Sequence, residues 1–113
     1  MQPKDRGYLW DMLVACNDIL GFIEGVTIER FTDDKLIRYA VERQLIVVGE
    51  AASHRSDIVR TAYANIEWRS IVGLRNILAH DYGEILVSRI WKVTTNRIPE
   101  LKNALEKILS EGN

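Results

Sequence analysis

The chain has 113 residues, of which 47% are hydrophobic and 27% are charged, and its formal net charge is −1. This composition excludes a disordered chain, and no apolar run approaches the length that a membrane span requires. The N-terminal segment MQPKDRGYLWD lacks the basic and then apolar pattern of a signal peptide, so we expect a cytoplasmic protein with no membrane partner. The length fits a single domain over residues 1–113.

Apolar residues recur at three- and four-residue steps in the N-terminal half, which is typical of helices with one buried face. The first helix is predicted over about residues 5–22, and Gly25 and Thr27 then supply a stop and a possible N-cap. The segment Thr32-Asp33-Asp34 is predicted to start a long helix that ends near Ser53. Gly49 lies inside this helix, where it lowers helix propensity and can allow another helix to approach closely.

Cysteine and histidine are too sparse for a disulfide or a metal site. Cys16 is the only cysteine, and its apolar neighbours at helical spacing predict a small core residue without chemistry. His54 and His80 lie far apart in the sequence, with no cysteine cluster near either. We therefore expect no metal and no cofactor.

The second half of the chain continues the helical pattern. Ser56-Asp57 is an N-cap signal that leads into a short helix through Ile66. The next helix is predicted to begin near Trp68 and to include residues 68–82, with Gly83 as its stop.

The last part of the chain is also predicted to be helical. Glu84 can start a further stretch, which Pro99 interrupts, and the sequence leaves open whether one kinked helix or two helices follow. No segment alternates with a period of two residues, so strands are not expected. The predicted fold class is all-α, an up-and-down bundle of four to six helices.

The segment 75–82, RNILAHDY, gathers an arginine, a histidine and a tyrosine into eight residues. Arginine can hold a phosphate through a planar fork of donors, and histidine exchanges protons near neutral pH. Together they favour phosphate-ester chemistry. Spacing alone, however, favours a simpler interpretation, in which Arg75 pairs with a carboxylate and His80 stabilises a helix C-terminus.

Helical geometry limits how the two side chains can meet. On an ideal helix with about 100° per residue, the apolar side chains of residues 68–82 form one arc, and Arg75 lies within it. We therefore expect a carboxylate partner, a cleft or a subunit interface beside Arg75. His80 lies about 140° around the helix from Arg75, so the two do not converge on a straight segment. Either the helix is distorted before Gly83, or a twofold partner brings a second Arg/His pair across a shared groove.

Charge is distributed unevenly along the chain. Residues 1–54 hold six Lys or Arg against nine Asp or Glu, whereas residues 55–97 hold seven against four, so the balance changes from −3 to +3. A solvated helix face and a surface that attracts phosphate both explain this change.

The segment 75–82 resembles the Arg-x4-His-x-Tyr motif of the HepT-like toxins, formerly a DUF86 family, in the HEPN superfamily. Residues 40–52, AVERQLIVVGEAA, are similar to the second-helix signature of that family. Trp68, Trp91 and Pro99 occupy positions where the family commonly has these residues. The similarity covers nearly the whole chain, in order.

The resemblance implies a HEPN-like α-helical homodimer that dimerises through the motif-bearing helices. It further implies a metal-independent endoribonuclease, the toxin of a type VII toxin–antitoxin pair, with Arg75 and His80 catalytic and Asn76 supporting the site. Tyr82 would receive AMP from a cognate minimal nucleotidyltransferase antitoxin. RNA would be the substrate and DNA would not, because the 2′-hydroxyl attacks the adjacent phosphorus. Two alternatives stay open: a non-catalytic HEPN module that binds RNA, a nucleotide or a nucleotidyltransferase, and a structural dimerisation domain.

Overall fold

The computed structural model describes residues 1–111, which form eight α-helices and one π-helical turn. The helices are α1 Pro3–Phe22, α2 Ile28–Asp33, α3 Lys35–Ser53, α4 Asp57–Ala62, α5 Trp68–Val72, α6 Leu74–His80, α7 Gly83–Lys92 and α8 Ile98–Glu111, and the π-helical turn is Val93–Arg97. The all-α prediction is confirmed, since these residues contain no strand. We count α5 and α6 as one interrupted helix, and α7 to α8 as one continuous stretch. The described residues then form six helical stretches, which is the upper limit of the predicted four to six helices.

Three predicted caps begin helices in the first half of the chain. The Thr27 hydroxyl accepts a hydrogen bond from the backbone N–H of Arg30, at the start of α2. Asp34 caps α3 and Ser56 caps α4 in the same way. Each cap satisfies a backbone N–H that has no partner within its own helix.

The core lies where α1 packs against α3 and α8, while α5 and α6 pack against α3. Its largest fully buried side chains include Phe31, Leu9, Met12, Leu45 and Leu105. Cys16 is also fully buried, which confirms it as a core residue, and burial raises the pKa of its thiol to about 12. No helix within residues 1–111 combines the length and the apolar character needed to cross a membrane.

A buried carboxylate connects the start of α1 to the start of α4. Asp5 is 2% exposed and accepts hydrogen bonds from the backbone N–H of Ser56 at 2.9 Å, from the Ser56 hydroxyl at 2.8 Å and from the backbone N–H of Gln2 at 3.0 Å. Burial by itself raises the pKa of Asp5, but these hydrogen bonds outweigh burial and leave the pKa below its ordinary value.

The C-terminal part is a single irregular helical stretch. α7 continues through the π-helical turn into α8 without a break, so the alternative of two separate helices is wrong. Pro99 is the second residue of α8. Because the π-helical turn before Pro99 already departs from the regular α-helical hydrogen-bond pattern, the stretch accommodates a residue that lacks an N–H.

Candidate functional site

The helix predicted over residues 68–82 is not a single helix. It is divided at Gly73 into α5 and α6. The carbonyl of Gly73 accepts hydrogen bonds from the N–H groups of both Asn76, at 3.0 Å, and Ile77, at 3.4 Å, so the backbone tightens locally at this glycine. Glycine contributes to the interruption because its helix propensity is low.

The motif helix also ends before the predicted residue 82. α6 ends at His80, and Asp81 and Tyr82 adopt extended backbone conformations, with ψ values of 152° and 169°. Tyr82 therefore lies outside the helix and its apolar arc, and it is 83% exposed. Gly83 has a φ of 66°, which a glycine adopts without strain, and it is the first residue of α7 rather than the end of the motif helix.

A short side-chain hydrogen bond anchors the connection between α6 and α7. Arg89 of α7 donates from Nη1 to the Asp81 carboxylate at 2.6 Å. Asp81 lies between His80 and Tyr82 in the sequence, so this contact attaches the backbone that carries both side chains to the neighbouring helix.

Arg75 has a carboxylate partner at the surface. Its side chain is 57% exposed, and its Nη1 lies 2.8 Å from Oε1 of Glu50 on α3. Of the three surroundings predicted for Arg75, the carboxylate partner is confirmed. Asn76 and His80 are exposed as well.

Within one chain, Arg75 and His80 belong to the same regular helix. Because α6 is helical from Leu74 to His80, their side chains keep a separation of about 140° around the axis, with a rise of about 7.5 Å along it. The backbone departs from the helix only after His80. The distortion that precedes Gly83 therefore does not bring these two side chains together.

The basic character of residues 55–97 is largely compensated by local ion pairs. Four of the seven basic residues in this range pair with carboxylates. These pairs are Arg60–Asp57, Arg75–Glu50, Arg89–Asp81 and Arg97–Glu67. Arg55 lies over the ring of Trp68, with its guanidinium carbon 5.5 Å from the ring centroid. A broad phosphate-attracting surface is therefore less favoured than the sequence count alone indicates.

His54 makes its aromatic contact outside the motif. It stacks on Tyr8 with ring centroids 5.1 Å apart and an interplanar angle of 21°. The pair lines a groove of ≈ 470 Å³ between α1 and α3, to which Trp10, Arg43 and Glu50 also contribute. Within residues 1–111, no three His, Cys, Asp or Glu side chains are grouped so that they could hold a metal ion.

Glu50 was not predicted from the sequence as the carboxylate partner of Arg75. Glu50 lies 25 positions before Arg75 in the chain, so no short-range spacing connects the two. The available signal was Gly49, whose predicted role in a close helix approach indicated that α3 and another helix meet at this point. The structure confirms that approach, since a Cβ added at Gly49 would lie 3.2 Å from the carbonyl oxygen of Ile71.

The all-α fold, with an Arg-x4-His-x-Tyr motif exposed around the end of α6, defines a HEPN-type helical domain. The model of the family described as Ribonuclease HepT-like matches residues 12–108, and the chain belongs to this family. A provisionally named RNase of Methanocaldococcus jannaschii is 36% identical over 107 residues, which cover 94% of this chain and 98% of that protein.

A second relative, from Thermococcus cleftensis, carries the name "Probable ribonuclease HepT". It is 32% identical over 108 residues, which cover 96% of this chain and 98% of the relative. A provisionally named RNase of Caldanaerobacter subterraneus is 29% identical over 106 residues, covering 94% of this chain and 95% of that protein. No solved structure gives a significant match. The names of all three relatives refer to ribonuclease activity.

Proposed function

We propose that this chain is a metal-independent endoribonuclease and the toxin of a type VII HEPN/minimal nucleotidyltransferase system. The observation that carries the proposal is the exposure of the motif side chains Arg75, His80 and Tyr82 around the end of α6, in a chain of the ribonuclease HepT-like family. Exposed polar side chains on a rigid helix can meet a large substrate such as RNA without a preformed deep pocket.

The two catalytic roles follow from the chemistry of the side chains. His80 acts as general base, or as general acid, when the 2′-hydroxyl of RNA attacks the adjacent phosphorus and the 5′-oxygen leaves. Arg75 stabilises the negative charge that develops on the phosphoryl oxygens. The products are a 2′,3′-cyclic phosphate, or its hydrolysis product, and a 5′-hydroxyl. DNA is not cut because it has no 2′-hydroxyl.

The site is formed between two copies of the chain. Arg75 and His80 diverge by about 140° on α6, so a twofold partner is the simplest source of a second Arg/His pair facing the first across a groove. Exposed apolar surface supports this arrangement, because Ile85, three positions after Tyr82 in the sequence, is 67% exposed. Fully burying such a side chain contributes about 1.5–3 kcal/mol. Asn76 follows Arg75 and helps to position it.

Tyr82 is the residue through which the partner nucleotidyltransferase silences the toxin. With 83% exposure, its hydroxyl is accessible to an enzyme. The phenolic oxygen attacks the α-phosphorus of ATP, a new O–P bond forms, and pyrophosphate leaves. The attached AMP adds bulk and a negative phosphodiester near the motif, which obstructs the groove and competes with RNA for Arg75.

The decisive experiment is RNA cleavage by the purified protein in EDTA, with His54→Ala as a matched control for His80→Ala. We expect His80→Ala and Arg75→Ala to abolish cleavage while dimers still form, and His54→Ala and wild type to cleave RNA but not DNA of the same sequence. Full activity of either motif variant would refute the catalytic assignment. RNA retention without cleavage would favour the binding module, and neither cleavage nor retention would favour the scaffold.

The silencing role needs a separate measurement. Tyr82→Phe is expected to remain toxic to cells that express the cognate nucleotidyltransferase, whereas that partner neutralises the wild type. Mass spectrometry of the wild type from such cells should find AMP on Tyr82. Complete neutralisation of Tyr82→Phe would instead point to inhibition by direct binding.

A further inference from the structure

We infer that Glu50 is a positioning residue of the proposed site, a role that rests on the proposed function. Its carboxylate oxygen Oε1 lies 2.8 Å from Nη1 of Arg75. This contact fixes one end of the guanidinium, so that the remaining N–H donors are held towards the position of an RNA phosphate. Glu50 itself touches neither the substrate nor the reacting atoms.

The packing of α3 on α6 brings these two residues together. Gly49 is buried immediately before Glu50, and a Cβ added there would meet the carbonyl oxygen of Ile71 at 3.2 Å and Cγ of Arg75 at 3.8 Å. A larger side chain at this position would separate the helices. The close approach of α3 therefore places the Glu50 carboxylate within reach of the Arg75 guanidinium.

The Arg75–Glu50 ion pair contributes little to the free energy of folding. Its main effect is to orient the Arg75 side chain. The side chains of Arg75 and Glu50 are 57% and 46% exposed, and ion pairs between exposed groups contribute little to folding. A long arginine side chain without such a contact samples many rotamers. Arginine has five N–H donors, so a single carboxylate at Nη1 leaves donors available for a phosphate.

Loss of the pair should affect the chemical step more than RNA binding. In Glu50→Gln the orientation of Arg75 is lost, so stabilisation of the phosphoryl charge in the transition state weakens. The positive charge of Arg75 is no longer compensated, so attraction of the RNA backbone in the ground state is retained or strengthened. We expect kcat to fall roughly 10- to 100-fold, with KM unchanged or lower.

The experiment compares Glu50→Gln with Asp57→Asn, which removes the carboxylate of another exposed ion pair, Asp57–Arg60, that is not part of the site. Asp57→Asn should leave kcat and KM unchanged, and Glu50→Asp should recover part of the lost kcat because it retains the charge. In an Arg75→Lys background, Glu50→Gln should reduce kcat much less, because Glu50 acts through the guanidinium.

A second measurement needs no RNA. An arginine-selective dicarbonyl reagent, with the modified residue identified by mass spectrometry, should react several-fold faster with Arg75 in Glu50→Gln than in the wild type or in Asp57→Asn. Such an acceleration supports the pairing in solution, and equal rates overturn it.

The outcomes separate the inference from the proposed function. If the wild type cleaves RNA and Glu50→Gln has the same kcat, or only a raised KM, the inference is overturned and the proposed function stands. If the wild type does not cleave RNA, the proposed function fails and the inference with it. Thermal unfolding within about 2 °C of the wild type shows that Glu50→Gln is folded, as expected for an exposed pair of small energetic value.

Discussion

Gly49→Ala tests how closely α3 approaches α5, the helix that directly precedes the motif-bearing helix α6. The added Cβ would lie 3.2 Å from the carbonyl oxygen of Ile71, a backbone atom that cannot rotate away. Two effects oppose each other. Alanine is favoured over glycine in a helix interior by about 1 kcal/mol, whereas overpacking a tight contact typically costs about 1–3 kcal/mol.

Gly7→Ala is the matched control, because it makes the same chemical change inside α1 with no atom within 4 Å of the new Cβ. We expect Gly7→Ala to raise the free energy of unfolding by about 0.5–1 kcal/mol. Gly49→Ala should be less stable than Gly7→Ala by about 1–3 kcal/mol, the cost of the contact. The difference between the two variants therefore isolates the approach of the helices from the propensity of alanine.

Urea unfolding followed by circular dichroism measures both variants. The protein concentration must be equal in all samples, because dimer formation would make the apparent stability depend on it. The slope of the free energy with urea should be unchanged, so that the midpoints report stability alone. If Gly49→Ala stabilises the protein as much as Gly7→Ala does, α3 does not approach α5 as described. Cleavage of RNA should also fall in Gly49→Ala and not in Gly7→Ala, because a shift of α3 would disturb the Glu50–Arg75 pair.

Three further predictions concern buried groups. Asp5→Asn should lower stability at pH 7 by about 1–3 kcal/mol, since hydrogen bonds from Ser56 and Gln2 are weakened or lost. The folded pKa of Asp5 lies below the ordinary 3.8, so the stability advantage of the wild type should shrink in urea titrations as the pH falls below 3.8. Thr94→Val should raise the thermal midpoint and increase the free energy of unfolding by about 1 kcal/mol, because the buried Thr94 hydroxyl has no hydrogen-bond partner among the described residues. A loss of stability would show that this hydroxyl has a partner in solution. The Cys16 thiol, with its pKa raised to about 12, should not react with a disulfide reagent until urea unfolds the chain, and rapid labelling of the native protein would contradict its burial.

Local features of the fold were predictable because their causes are local. The caps at Thr27, Asp34 and Ser56 each depend on a hydrogen bond to a residue three positions later, so the sequence indicates Thr27, Ser56 and the segment Thr32-Asp33-Asp34, within which the structure selects Asp34. Hydrophobic periodicity likewise predicted the long helices, and the burial of Cys16 follows from its place in that pattern. The division of the motif helix at Gly73 was missed, because an isolated glycine is also tolerated inside a continuous helix.

The candidate site shows the same distinction between local and long-range causes. The sequence by itself identified the candidate residues Arg75, His80 and Tyr82, because they form a motif within eight positions, and it also predicted that Arg75 and His80 diverge on a regular helix. Only the tertiary structure decided that Tyr82 leaves the helix, that Arg89 anchors the loop next to it, and that Glu50 meets Arg75. Glu50 and Arg75 are separated by 25 positions and brought to 2.8 Å by the packing of two helices, a distance that no periodicity in the chain encodes.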